Sequence, residues 1–331
     1  RLNPHMYDKD WQPSASLDHL KRRAQFLTEI RRFFYQREVL EVDTPILSHA
    51  APTAPYLDSF TTDYIAAGGQ KSLCYLHTSP EFAMKRLLAA GLGDMYQIAK
   101  VFRNGEQGRH HSPEFTMLEW YRPSLSYHQL MTEVDDLLQT VVGLSPAVKM
   151  SYQTLFSQYL SIDVTDVEQD ELKQYALSRI KSLPQDWQTD KDGWLELLMS
   201  ELIEPQLALS AHPYIIYDFP ASQAQLAKLH RSEEGHIVAA RFEVYAQGLE
   251  LANGYDECLD ADELSQRFVE DNLIRHQQGK SAMPVDKHLL AAMQAGLPAC
   301  CGVAIGVDRL LMLKLSVQHI DAVKSFTFEQ S

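Results

Sequence analysis

FRNGEQGRHHSPEFTMLEWY, residues 102–121, decides how the rest of the chain is read. Arg103 follows the mainly apolar run MYQIAKVF, which reads as a strand. Polar and flexible positions come next, with two glycines, two histidines and Pro113 among them. EFTMLEWYR then reads as a second, mainly apolar strand with Glu119 inside it, folding back on the first. An arginine at the end of such a strand needs an anion, because an unpaired buried charge costs several kcal/mol. Its planar fork suits phosphate through paired hydrogen bonds. A salt bridge to Glu114 or Glu119 would satisfy it equally, and this stretch alone leaves both open.

On the N-terminal side, SPEFAMKRLLAAG (residues 79–91) reads as a helix with Ser79 capping, Pro80 in first position and Gly91 at its end. An earlier helix starts at the Ser16 cap with Asp18 in its first turn, and Leu20, Ala24, Leu27, Ile30 and Phe34 recur at helical spacing. Lys21, Arg22, Arg23, Arg31 and Arg32 read as its solvated face. VLEVDTPIL (39–47) is expected as a strand meeting Pro45, and residues 46–70 as loop and short strands. On the C-terminal side comes an amphipathic helix ended by Gly143, then an acidic helical insertion at about 150–212 with Trp187 and Trp194. PYIIYDFP, ARFEVYAQGLELANGY and CCGVAIGV restore strands, and DRLLMLKL is a final helix. Strands and helices do not alternate as βαβ units. The expected fold is therefore α+β, an antiparallel sheet flanked by helices. Residues 1–13 are expected as a tail, with 1–5 set aside as vector-derived ahead of Met6, and 14–331 as a single domain.

The 331 residues carry a formal net charge of −14, which disfavours non-specific nucleic-acid binding. Hydrophobic residues make up 45%, ample for a core, yet no apolar run reaches the length of a membrane span. The four cysteines form no C-x-x-C pair, so neither a disulfide framework nor a structural zinc is expected, and a reducing cytosol suits the chain.

Two further stretches carry chemistry. GLELANGYDE holds Glu250 and Glu257, oxygen donors suited to Mg²⁺ or to ammonium groups. Seven residues apart on a straight strand they would face opposite sides, so a turn or bulge at Asn253–Gly254 is needed to bring them together. Otherwise they are two exposed acids of a hairpin. GVAIGVDRL places Gly302 and Gly306 before a helix whose first turn holds Arg309. A cation there opposes the helix dipole, so an anion would reward it.

Together and in this order, the stretches resemble the three signature motifs of the class II aminoacyl-tRNA synthetases. EVLEVDTPIL looks like motif one, ending in Pro45; FRNGEQGRHHSPEFTMLEWY like motif two; GVAIGVDRLLML like motif three. HSPEFTMLEWY is especially close to the lysyl branch. WQPSAS, SPEFAMKRLL, FPASQA and RFEVYAQGLELANG narrow the likeness to the elongation factor P lysine ligases, shortened paralogues of lysyl-tRNA synthetase. The resemblance runs from about Ser14 onward, apart from the helical insertion.

That resemblance implies both an activity and a set of site residues. The family activates (R)-β-lysine with ATP and Mg²⁺ and transfers it to a lysine side chain of elongation factor P. Arg103 and Arg309 would be catalytic, on the α- and γ-phosphates. Asn104, Gly105, Glu106, His111, Ser112, Phe115, Glu250, Leu251 and Gly306 would complete the ATP site, with Phe115 under adenine. Glu250 and Glu257 would hold Mg²⁺. Ser79, Pro80, Glu81, Tyr121, Asn253, Glu257 and Ala304 would line the lysine or β-lysine pocket. Glu81 reads alternatively as a simple cap of its helix. Ala304 stands where lysyl-tRNA synthetases carry glycine, which would disfavour α-lysine. Motif one implies a homodimer, and cytoplasmic function is expected. Only some sixteen residues precede the first helix, too few for an anticodon-reading OB-fold, so tRNA is not the expected acceptor.

Two positions depart from the family pattern. Gly105 stands where a base-reading glutamate is usual, with Glu106 next to it, and Ser112 replaces an asparagine. The competing readings are a truncated synthetase charging tRNA, an inactive paralogue acting as a regulatory subunit, and an amide-forming metabolic ligase. Retention of Arg103, Arg309, Glu250 and Glu257 argues against the second, and the lysyl-like SPEFTMLEWY against the third.

Overall fold

The computed structural model describes residues 11–331; the expectations for residues 1–10, Met6 included, lie outside the described residues. In chain order the first elements are α1 (Leu17–Tyr35), β1 (Leu40–Glu41), β2 (Leu47–Ser48), β3 (Thr61–Ile65), β4 (Lys71–Leu76), α2 (Glu81–Ala89), β5 (Met95–Phe102) and β6 (Glu114–Arg122). Next come α3 (Tyr127–Leu137), β7 (Val148–Ser151), α4 (Tyr152–Leu160), α5 (Gln169–Arg179), α6 (Lys191–Leu198), α7 (Glu204–Leu207), β8 (Tyr214–Pro220) and β9 (Leu229–Arg231). The chain closes with β10 (Ile237–Ala246), β11 (Leu249–Asp256), α8 (Ala261–Gln277), α9 (Lys287–Gly296), β12 (Cys301–Gly306) and α10 (Val307–Leu315). The described residues divide into two compact units, one of residues 11–120, Ala261–Leu297 and Gly306–Ser331, the other of Tyr121–Asp260 and Pro298–Ile305.

In the first unit, α1 begins as its sequence dictates. Ser16 Oγ accepts from the His19 amide, and Phe26, Ile30, Phe33 and Phe34 form its buried face. Phe34 stacks on Tyr96 at 4.3 Å between ring centroids and meets Trp120 edge-on. β5 has parallel β1 on one side and β6 on the other. Residues 39–47 do not form the single strand expected; only Leu40–Glu41 and Leu47–Ser48 pair. Pro45 between them lacks an amide donor and restricts Thr44 before it. β2, β4 and β3 make a separate antiparallel sheet.

The solvated cationic face of α1 needs one correction. Arg22 pairs with Asp18, and Arg31 with Glu41, on the surface. Arg23 instead turns inward, donating to Asp308 Oδ1 at 2.6 Å and to Thr116 Oγ1 at 2.8 Å. Asp308 is buried and also accepts the Thr116 amide at 2.7 Å. Asp308 and Thr116 lie far from Arg23 in the chain, so helical periodicity cannot reveal this pair.

In the second unit, β12, β11, β10 and β8 run in that order with antiparallel pairing; β7 joins β8 in parallel, and β9 pairs with β10. The helices expected over 150–212 are α4 to α7. Their Tyr152, Phe156, Trp194, Leu195 and Leu207 share a core with Phe219, Ala239 and Tyr245 of the sheet. Trp187 meets Trp194 edge-on at 4.9 Å. All four cysteines are buried thiols. Among the described residues no helix is long and apolar enough to cross a membrane.

Candidate active site

The sequence-expected residues divide between the two units. In the first, the β5–β6 hairpin presents the cations. Arg103 follows β5 directly, and its amide donates to the Pro113 carbonyl at 2.8 Å just before β6 begins. Its guanidinium lies 5.2 Å from the Phe115 ring centroid and 3.8 Å from Glu106. The buried Arg103 Nε has no hydrogen-bond partner among the described residues. The salt-bridge alternatives are otherwise engaged. Glu114 pairs with Lys100 at 3.4 Å, and Glu119 accepts from Ser79. An orphaned donor on a cation is costly unless an anion meets it.

The hairpin tip closes through reciprocal bonds between Gly108 and His111. Gly105 has φ +84, and a Cβ there would meet nothing within 4 Å. Backbone conformation, not crowding, therefore favours glycine over the expected glutamate. Arg309, in the first turn of α10, reaches back to this tip. Its Nη2 lies 2.7 Å from His111 Nε2, and its Nε donates to the His110 carbonyl at 3.3 Å. Burial, with Arg109, Arg309 and His111 close by, holds His110 below its usual pKa. A Cβ on Gly306 would touch only the Arg309 side chain, at 3.9 Å, so protein packing does not demand glycine there.

At the start of α2, Ser79 Oγ accepts the Glu81 amide at 3.0 Å and donates to Glu119 Oε2 at 2.6 Å. Pro80 occupies the turn between them, immediately before α2. Glu81 does not cap with its side chain. It takes an ion pair from Lys85 at 2.6 Å, one helical turn on, and Lys85 is almost wholly buried. Glu119, also buried, thus holds Ser79.

In the second unit the hairpin turn falls at Gln247–Gly248, both at positive φ, as a two-residue turn requires. Asn253 and Gly254 lie mid-strand instead. A Cβ on Gly254 would sit 2.2 Å from the Phe242 ring directly across the pair. The irregularity needed to bring Glu250 and Glu257 together is real but sits elsewhere. Val244 pairs with Ala252 and Tyr245 with Glu250, so buried Leu251 is the extra residue of a bulge. One extra residue reverses the alternation beyond it, bringing Glu250 to the face of Asn253 and Glu257. Asn253 Nδ2 accordingly donates to Glu250 Oε1.

Buried Arg241 orients that amide by donating to Asn253 Oδ1 at 3.0 Å, and it also pairs with Glu243. Burial pushes Glu243 up to about 7; Arg241 opposes the rise and Glu250 adds to it. Across β11–β12, Asn253 faces Ala304 and Tyr255 faces Gly302. A Cβ at Gly302 would lie 2.4 Å from Tyr121 Cε1 and 2.8 Å from Glu257 Oε1, so Tyr121 and Glu257 pack directly on bare backbone.

Among the described residues no three His, Cys, Asp or Glu side chains are grouped to hold a metal. Glu250 and Glu257 offer hard oxygens on one face of β11. Such a pair suits Mg²⁺, which keeps waters and takes substrate phosphates as its other ligands.

Lys85, Arg241 and Glu243 join the site only in the structure. Lys85 carried a signal, standing four residues after Glu81 on one helix face. Arg241 and Glu243 alternate in the strand pattern of RFEVY, as outward or buried residues alike would.

The family of class II tRNA synthetases (D, K and N) matches residues 9–330. A protein of Salmonella arizonae named elongation factor P–(R)-beta-lysine ligase is 48% identical over 322 residues, 97% of this chain and 98% of that one. A ligase of the same name from Salmonella paratyphi A is 49% identical over the same shares.

Proposed function

Because the chain belongs to the class II tRNA synthetases of the D, K and N group, we propose that it joins (R)-β-lysine to a lysine side chain of elongation factor P in an ATP-driven ligation. The observation that carries the nucleotide half is Arg103, a cation with an orphaned buried Nε beside the Phe115 ring. The acceptor follows the names of relatives that match along almost their whole length.

In the first step a carboxylate oxygen of the amino acid attacks the α-phosphorus of ATP. The bond to pyrophosphate breaks and an acyl-adenylate forms. Arg103 neutralises charge on the α-phosphate while Phe115 stacks on adenine. Arg309, linked to His111, holds the γ-phosphate and the departing pyrophosphate. Positioning and charge stabilisation do most of this work. Asn104, Gly105, Glu106, Ser112, Leu251 and Gly306 complete the nucleotide contacts. Glu250 and Glu257 hold Mg²⁺, which neutralises phosphate charge when bound. In the second step the acceptor amine attacks the acyl carbon, a C–N bond forms and AMP leaves.

Ser79, Pro80, Glu81, Tyr121, Asn253, Glu257 and Ala304 receive the amino acid, whose ammonium groups call for carboxylates. The protein acts as a homodimer in the cytoplasm. Supporting the dimer, the first unit leaves Leu40, Ile46, Leu47, Tyr64, Ile65 and Leu73 exposed around the motif-one segment and the small sheet. Supporting the compartment, all four cysteines are buried thiols.

ATP–pyrophosphate exchange with α-lysine, β-lysine and aspartate tests the reading. β-Lysine should support the fastest exchange, and no exchange with any of them would overturn it.

A further inference from the structure

The tip that carries His111 and Ser112 is gripped from outside the hairpin by the segment after α10. Arg109 Nε donates to the Gln318 carbonyl at 2.9 Å, and its Nη2 to Gln318 Oε1 at 2.7 Å. The Ile320 amide donates to the Arg109 carbonyl at 3.0 Å. Lys324 Nζ donates to Ser112 Oγ at 2.7 Å and also to the Glu114 carbonyl.

The segment is a firm anchor. Ile320 and Val323 are buried. The carbonyls of Ala322, Val323 and Lys324 are taken by His19, Arg23 and the Ala15 amide. Lys324 is half-buried among Asp308, Lys100, Glu114 and Arg23, and burial holds its ammonium below the usual lysine range. An ammonium is kept in such a place at a desolvation cost, which its hydrogen bonds offset.

The two acceptors of Lys324 flank Pro113, and the Pro113 carbonyl takes the Arg103 amide. Ser112 also follows His111, the partner of Arg309. One side chain therefore braces the backbone behind both phosphate-directed arginines.

We propose that Lys324 is a positioning residue for the nucleotide: by clamping residues 112–114 it presets Arg103 and the His111–Arg309 pair before ATP arrives. The inference rests on the proposed ATP-dependent activity. It also accounts for Ser112, whose short hydroxyl accepts the Lys324 ammonium.

The test is exchange kinetics on the full chain. Lys324→Met should raise KM for ATP about tenfold, the scale of losing a charged hydrogen bond, with kcat and the amino-acid KM within about twofold. Lys324→Arg should restore most of the loss. Ser112→Ala should raise the ATP KM several-fold, and adding it to Lys324→Met should bring little more. Should Lys324→Met not fold, Lys324→Gln takes its place, with the same rise in ATP KM expected and an unchanged ATP KM overturning the inference. Unchanged ATP KM in the variants, or a drop in kcat with both KM values unchanged, would overturn the inference. A wild-type protein inactive in exchange would instead overturn the functional reading.

Discussion

Asn253 and Ala304 stand directly opposite each other across the β11–β12 pair, on one face of the sheet. The Ala304 methyl therefore lies beside the amide that Arg241 and Glu250 hold in place. Ala304→Gly should shift the preference toward α-lysine by about tenfold or more, since one methyl in a pocket discriminates by about 1–3 kcal/mol. Exchange rates with the two isomers read this out. An unchanged ratio would remove Ala304 from the specificity argument.

Gly302 is fixed by packing. An added Cβ would collide with the Tyr121 ring and with Glu257 Oε1. Gly302→Ala should destabilise by about 1–3 kcal/mol. It should also displace the Glu257 carboxylate, so exchange falls further than the fraction of folded protein. Thermal melts beside exchange assays separate the two effects.

Arg103 should behave the opposite way. Its ion pair to Glu106 is long and part-exposed, and its Nε is unsatisfied, so the protein gains little stability from it. Arg103→Ala should leave the melting temperature nearly unchanged while slowing exchange by about 100-fold or more, the loss typical of one transition-state contact. A large melting shift with modest kinetic loss would mark Arg103 as structural.

His77 supplies a pH dependence. Its ring is buried, Nε2 lies 2.6 Å from the Lys100 carbonyl, and burial holds it below its usual 6.5. The unfolded chain therefore binds the proton more readily than the folded one. The contribution is fully present above pH 6.5 and shrinks as pH falls below that value toward the folded pKa. Urea unfolding across this range should show stability declining with acid, and His77→Gln should flatten the decline. An unaltered slope would assign it to other groups.

The motifs were legible because they are local. Apolar runs mark β5 and β6, helical spacing marks α1, and Ser16 marks its start. What stayed hidden depends on partners far along the chain. Ser79 donates to the buried Glu119 carboxylate, and no spacing rule joins residues on different elements. The same is true of Arg23 with Asp308 and of Lys324 with Ser112. Asn253–Gly254 carries a strong turn signal, yet the Phe242 ring across the pair needs the glycine inside the strand. The bulge at Leu251 is a property of strand pairing, so the shared face of Glu250 and Glu257 needed the register to be seen.

The sharpest test of the ligase activity is transfer of labelled (R)-β-lysine, with ATP, to purified elongation factor P in competition with tRNA. Label is expected on a lysine side chain of elongation factor P, dependent on Arg103. Label on tRNA alone would contradict it.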